Sequence, residues 1–323
     1  MPEKNSACAI TTAFVLGAGL GTRLRPLTDS RPKPLVPVFN KPLITFAFDH
    51  LIASGVEEFV VNTHHRPEAY GELLGESGGR CDYRGREVFF RHEPVLLETG
   101  GGIKNAADLL GDEPFLVYNG DVLADFPLGP LLQAHSGSGH IATLALRSAG
   151  ADRRIQFDAA SGLVTDMRGL IGGRPEPSYL FTGVSIVSPE IFKHIGEGQI
   201  VSIIPVLVDL MRSGARVGGV VVDDGVWFDI GNLDAYLEVH QILAGDSHRF
   251  SYLTADWRRA VAGDASVDPS ARLLGGTAVG GGAVVGADAV LENVVVWPGE
   301  TVKPSARLQR SVLAGGRIVE TAG

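Results

Sequence analysis

Cysteine is nearly absent from this chain: Cys8 and Cys81 are the two thiols in 323 residues. Neither belongs to a CxxC pair, so a disulfide framework and the usual zinc-site spacings are excluded. Isolated reduced thiols suit a cytosolic protein. Long apolar runs are missing as well. Nothing approaches the roughly 18 residues that cross a bilayer. The opening MPEKNSACAI has no apolar stretch of the secretory kind. The expectation is a cytoplasmic protein with no membrane partner. Positive charge is also in short supply, with 28 Lys and Arg against 37 Asp and Glu and a net charge of −9. That balance argues against a surface that coats nucleic acid. An anionic ligand must therefore be met by cations gathered locally. The 42 glycines and 45% hydrophobic residues describe a loop-rich globular chain, long enough for one large domain or two smaller ones.

The local cations are found in Val15–Pro37, VLGAGLGTRLRPLTDSRPKPLVP. Two familiar glycine-loop patterns do not fit it. GxGxxG fails because Thr22 stands where the third glycine belongs, and no lysine follows at the P-loop spacing. What remains is a glycine turn able to bring backbone N–H groups close to an anion. Arg23 and Arg25 add forked donors suited to phosphate oxygens. Lys33 is restrained between Pro32 and Pro34. Glycine loop, arginines and lysine together point to phosphate chemistry. Two acids stand out further on. Asp121 ends the apolar run PFLVYNGD, where its carboxylate would leave a strand. Asp229 is a lone acid among apolar neighbours in GVWFDIGN, and a buried carboxylate needs a cation partner. His64 and His65 are adjacent, so in a strand they would face opposite ways, which argues against a shared metal.

Val15–Thr28 with Pro32–Pro37 resembles the signature of the sugar-1-phosphate nucleotidyltransferases. The likeness continues in order through Asn40–Ile44, Glu98–Lys104, Asn119–Asp121, Phe181–Val184 and Trp227–Asn232. The resemblance implies a reaction in which a nucleoside triphosphate and a sugar-1-phosphate give an NDP-sugar and pyrophosphate. It implies Leu16, Gly17, Ala18, Gly19, Gly21, Thr22 and Arg23 around the nucleotide, with Thr99, Gly100 and Gly101 near the base. Glu98, Asn119, Gly183 and Asn232 are implied at the sugar. Arg23 would neutralise the leaving pyrophosphate and Lys33 would contact the α-phosphate. Asp121 and Asp229 would together hold Mg²⁺. The Gly100–Gly102 run would let the backbone approach a flat ring. One family feature, an F-x-E-K-P stretch whose lysine meets the sugar phosphate, is missing. Arg153, Arg154, Arg168 and Arg174 are the cations available in that region. The expected base is uracil or guanine. The expected sugar is of the mannose, heptose or N-acetylmuramate type. The alternatives are a non-catalytic regulatory subunit and a bifunctional acyltransferase. Intact Arg23, Lys33, Asp121 and Asp229 weigh against the first. The second is weakened because His248 is the last histidine.

Short apolar runs alternate with helical ones through the first part of the chain, starting with Thr12–Leu16. That rhythm predicts a Rossmann-like, mostly parallel mixed sheet covered on both faces, with ligands beyond the carboxyl ends of its strands. The character changes late in the chain. A large apolar residue recurs every six positions at Val261, Val267, Leu273, Val279, Val285, Leu291 and Trp297, and the phase then slips to Val302 and Leu308. Such a period predicts a solenoid, and a period of six a left-handed parallel β-helix. The limits are drawn at 1–245 for an α/β catalytic domain, 246–260 for a connector (the region Gln241–Asp256), and 261–323 for the repeat. In relatives with such a repeat it mediates assembly, so a homo-oligomer is expected.

Overall fold

Runs of β-branched and aromatic residues, such as TAFVL and FLVYN, build a ten-stranded sheet in this computed structural model. The structure describes residues 10–75, 77–172, 177–245 and 250–321. Cys8, Arg174 and His248 lie outside the described residues. In chain order the strands are Thr12–Leu16 (β1), Glu58–Thr63 (β2), Arg80–Tyr83 (β3), Arg86–His92 (β4) and Phe115–Asn119 (β5). They continue with Ala142–Arg147 (β6), Arg153–Asp158 (β7), Leu163–Met167 (β8), Ser178–Val187 (β9) and Val217–Val221 (β10). Their spatial order is β7-β8-β10-β6-β9-β5-β1-β2-β4-β3, and β7 also pairs with β9. The block β5-β1-β2-β4 is parallel, as is β6 with β10. All other pairings are antiparallel and outnumber the parallel ones. The sheet is therefore mixed and not mostly parallel. Direction is set by the connections, and the hairpin-like segments β7–β9 return antiparallel with no crossover helix.

The chain divides into two compact units. The first runs to Gly19 and resumes over Ala47–Trp227; it holds the sheet. Its core joins Phe14, Val60, Phe115 and Leu144 to Ile204 and Leu207. The helices that matter for the site are Glu98–Asn105 (α1) and Ile203–Arg212 (α2). His64 and His65 follow the end of β2 and are not strand residues; His64 Nδ1 lies 2.7 Å from the Glu93 carbonyl.

The second unit joins Leu20–Phe46 to everything from Phe228 onward. Leu233–Ala244 (α3) forms a helix through Gln241, where a connector was expected. Beyond it, short strands pair in parallel. Ser266 lies opposite Val284 and Arg272 opposite Val290, an advance of 18 residues, or three six-residue repeats. The next pairings, Ala278 with Val295, Val284 with Thr301 and Val290 with Arg307, advance by 17, so the slip falls between Glu292 and Val295, ahead of Trp297 and not after it as the sequence spacing suggested. Val279, Val285, Leu291 and Val302 stack in the interior. Trp297 does not join that stack. Val296 does, and the Trp297 indole donates to the Tyr236 hydroxyl on α3 at 3.3 Å. The last strand, Arg317–Glu320, folds back antiparallel on Arg307–Ala314. Among the described residues, no helix is long and apolar enough to cross a membrane.

Candidate active site

In the first unit, Leu16 of β1 lies opposite both Asn62 of β2 and Asn119 of β5, at the carboxyl edge of the parallel block. The chain enters the glycine turn there. Asn62 Oδ1 accepts from the N–H groups of Gly17 at 2.9 Å and Ala18 at 3.2 Å. Its Nδ2 donates to Glu93 Oε1 at 2.8 Å, and Glu93 Oε2 accepts from the Leu97 N–H at 3.0 Å. The Tyr70 hydroxyl donates to the Gly17 carbonyl at 3.1 Å, and burial raises its pKa. The turn is thus anchored by Asn62, Glu93 and Tyr70, none of which the sequence motifs single out. The N–H groups of Gly17 and Ala18 are engaged within the protein, contrary to the expectation that they face an anion. A Cβ on Gly17 would fall 2.6 Å from the Asn62 carbonyl, so packing requires glycine there. Gly19 faces open space.

The glycine triplet needs a similar correction. Gly100, Gly101 and Gly102 are buried within α1. Cβ atoms there would meet the Val201 carbonyl at 2.9 Å, the Gln199 carbonyl at 2.1 Å and Asn62 Nδ2 at 2.7 Å. The space these glycines leave is filled by the protein's own chain. Thr99 Oγ1 accepts from the Ile203 N–H at 2.8 Å. Glu98 opens the helix exposed and with φ of +61°, a left-handed conformation that a non-glycine residue adopts only when its surroundings impose it. Lys104 is not a bare surface residue: its Nζ donates to the Phe192 carbonyl at 3.0 Å.

Asn119 ends β5, and the Gly120 N–H returns to the Leu16 carbonyl at 3.0 Å, tying the Asn119–Asp121 turn to the end of β1. Asp121 therefore stands at the carboxyl edge. Gly183 has φ of +81° at a bulge where β9 slips against β6. A Cβ there would lie 2.5 Å from Asn119 Nδ2, so glycine gives the Asn119 amide its room.

In the second unit, Lys33 sits in a short 3₁₀ turn, Lys33–Leu35, and is buried. Its Nζ lies 3.8 Å from Asp229 Oδ1. A Cβ on Gly231 would fall 3.1 Å from Arg23 Nη1 and 3.4 Å from Asp229 Oδ2. Asp229 thus lies near Lys33 and, beside Gly231, near Arg23. Asp229 is exposed, not buried as its apolar sequence context suggested, and its pairing with Lys33 is therefore not forced by desolvation. Gly21 adopts φ of +59°, and Thr28 Oγ1 donates to its carbonyl at 2.8 Å. Thr22 and Arg23 follow in the next turn. Arg25 forms an exposed pair with Asp29 at 3.3 Å, and Asn232 Oδ1 caps α3 by accepting from the Ala235 N–H at 2.9 Å.

A brace behind Lys33 was not legible in the motifs. The Arg31 guanidinium lies over the Trp297 ring at 4.8 Å, and the Tyr236 hydroxyl donates to the Pro37 carbonyl. His240 Nε2 accepts from the Phe39 N–H at 2.9 Å while its Nδ1 faces the Tyr236 carbonyl at 2.8 Å, which fixes a neutral Nδ1–H tautomer. Burial lowers the His240 pKa to about 4. Among the described residues, no three or more His, Cys, Asp or Glu side chains group to hold a metal ion.

The first unit carries a mixed α/β sheet with a glycine turn at its carboxyl edge, and the second unit sets Lys33 and Arg23 near Asp229. Residues 12–155 match the nucleotidyl transferase family. Mannose-1-phosphate guanylyltransferase of Mycobacterium tuberculosis is 30% identical over 92% of this chain and 83% of its own length. N-acetylmuramate alpha-1-phosphate uridylyltransferase of Neisseria meningitidis is 35% identical over 72% of this chain and 98% of its own. The solved structure of the inositol-1-phosphate CTP transferase from T. maritima shares the fold, with a TM-score of 0.59 and 19% identity over 75% of this chain and 98% of that one. The chain belongs to the nucleotidyl transferase family, as a sugar-1-phosphate nucleotidyltransferase.

Proposed function

We propose that this enzyme transfers a uridylyl or guanylyl group to a sugar-1-phosphate of the mannose, heptose or N-acetylmuramate type. The observation that carries the reading is the placing of Lys33 and Arg23 near Asp229. A sugar-phosphate oxygen attacks the α-phosphorus in line, its new P–O bond forms as the α–β bridge breaks, and pyrophosphate leaves. The protein's contribution is positioning and charge neutralisation. Lys33 meets the α-phosphate, and its burial strengthens that contact. Arg23 neutralises the departing pyrophosphate with a forked donor.

Asp121 and Asp229 are each proposed as Mg²⁺ ligands. Mg²⁺ typically takes one or two protein carboxylates and completes its shell with phosphate oxygens and water. When bound, Mg²⁺ supplies further neutralisation of phosphate charge. Asp121→Asn, which removes a ligand charge and no core volume, is expected to abolish Mg²⁺-dependent turnover and leave the melting temperature unchanged. Full turnover in that variant removes Asp121 from the metal site.

The parallel coils of the C-terminal segment support the left-handed β-helix reading, with one six-residue repeat on each face, and its assembly into a homo-oligomer. The test of the reaction is pyrophosphate release from five NTPs against a panel of sugar-1-phosphates, with Mg²⁺ and then EDTA. One productive pair silenced by EDTA supports the reading. Silence across the panel from folded protein overturns it.

A further inference from the structure

Segment 119–125 carries Asn119 and Asp121, and one side chain of the first unit holds both of its flanks. His50 lies on the helix Ile44–Ala53 and is 5% exposed. Its Nε2 lies 2.9 Å from the Phe126 carbonyl and its Nδ1 3.2 Å from the Tyr118 hydroxyl. A carbonyl can only accept, so the ring proton sits on Nε2 and leaves Nδ1 as the acceptor. The Tyr118 hydroxyl therefore donates to Nδ1. Burial lowers the His50 pKa to about 4, against the opposing pulls of the Phe126 carbonyl and the Asp125 carboxylate, so the ring is neutral near pH 7. Burial and the Asp125 charge raise the Tyr118 pKa, which keeps its hydroxyl protonated as the donor.

Neither partner is near His50 in sequence. Tyr118 is the penultimate residue of β5, and Phe126 stands just beyond the segment. Between them the backbone has two further ties. The Gly120 N–H donates to the Leu16 carbonyl at 3.0 Å, and the Asp125 N–H to the Val226 carbonyl at 2.9 Å. Val122, Leu123 and Ala124 are buried, while Asp121 is half-buried. The Tyr118 and Phe126 rings also meet the imidazole edge to face, with centroids 5.9 and 5.8 Å away. An apolar side chain would fill this space without the cost of burying two polar nitrogens. What the imidazole adds is a donor and an acceptor fixed on one rigid ring, one for each flank of the segment.

We infer that His50 is a positioning residue for the Asn119–Asp121 turn. By closing the segment between Tyr118 and Phe126 it fixes where the Asp121 carboxylate stands at the carboxyl edge of β5. The inference rests on the reading that Asp121 serves the reaction. His50 acts through the segment it clamps. The glycine turn has its own anchors in Asn62, Glu93 and Tyr70. The two sets of anchors therefore serve different groups, and their loss has different kinetic consequences. Loosening the glycine turn weakens the nucleotide's hold. Loosening segment 119–125 displaces a group needed in the transition state, and a misplacement of that kind falls on kcat.

The test reads the ligand-free protein and the reaction separately. In amide hydrogen exchange without ligand, His50→Leu is expected to speed exchange within 120–126 about tenfold while β2 and β6 exchange as in the wild type. In turnover, with whichever substrate pair the enzyme uses, the same variant is expected to lower kcat about tenfold and to leave the nucleotide KM within about twofold. His50→Gln, which keeps a donor and an acceptor, is expected to recover about half or more of both losses. Tyr118→Phe removes one hydroxyl and is expected to fall between the wild type and His50→Leu; it decides the matter if His50→Leu does not fold. Exchange that rises equally in every strand, or a kcat unchanged below the melting temperature, shows that His50 supports the fold alone and overturns the inference. Asp121→Asn separates the two readings. Full turnover there overturns the role of Asp121 and, with it, that of His50. Lost turnover there, with an unchanged kcat in His50→Leu, overturns the role of His50 alone.

Discussion

Asn62 is the residue on which the glycine turn hangs. It serves Gly17, Ala18 and Glu93 at once. Asn62→Ala leaves two N–H groups and one carboxylate oxygen without their partner. The expected cost is about 2–4 kcal/mol in urea unfolding, with a raised KM for the nucleotide. An unchanged KM would mean that the turn holds its shape without this anchor. Nothing in the sequence marks Asn62, because its importance arises from the register that sets it opposite Leu16. The glycines were legible as necessary, but for a different reason. Gly17, Gly100 and Gly101 are small because backbone carbonyls press against them, and Gly102 because the Asn62 and Glu93 side chains do. Sequence spacing shows that a Cβ is unwelcome and does not show what takes its place. Asp229 was read from its apolar neighbours as buried, and the structure exposes it; the Lys33 partner is present, but the apolar run did not bury the carboxylate.

Among the elements, the late strands were the most legible, since a six-residue period shows directly which side chains point inward, although the slip read after Trp297 lies earlier, between Glu292 and Val295. Trp297 itself fits the period yet belongs to another contact, because its indole bonds Tyr236 and underlies Arg31. Periodicity counts positions and cannot tell a stack from a brace. The direction of β7, β8 and β9 was likewise hidden, as short apolar runs read alike in parallel and antiparallel sheets. Trp297→Ala removes a side chain that is 4% exposed and is expected to cost about 3–5 kcal/mol. It should also lower kcat, because the brace it completes backs the Lys33 segment. Lost stability with unchanged kcat and KM, measured below the melting temperature, would show that the brace supports the fold alone.

For the whole molecule, two buried histidines set an acid limit. Burial lowers the pKa of His50 and of His240 to about 4, below the ordinary value of 6.5. Both are neutral when folded, whereas the unfolded chain takes up a proton at each below pH 6.5. The unfolded state then binds more protons, so stability is complete above pH 6.5 and falls as pH drops toward about 4. The loss is about 1.4 kcal/mol per pH unit per histidine. A melting temperature that holds constant from pH 6.5 to 5 would contradict this. Removing residues 264–323 takes Trp297 away from Tyr236 and strips the repeat from α3. The truncated chain is expected to lose activity as well as mass by light scattering, and full activity would show that the repeat is dispensable. That the second unit joins Leu20–Phe46 to residues from Phe228 onward has a consequence during synthesis. The segment bearing Arg23 and Lys33 leaves the ribosome early, while Tyr236, His240 and Trp297 arrive far later. At about 5–20 residues per second the wait is roughly ten to fifty seconds. Through that interval Phe39 is without His240 and Trp257, and Phe46 without Phe250 and Trp257, and a nascent chain in this state is a natural client for a chaperone that shields apolar segments until translation ends.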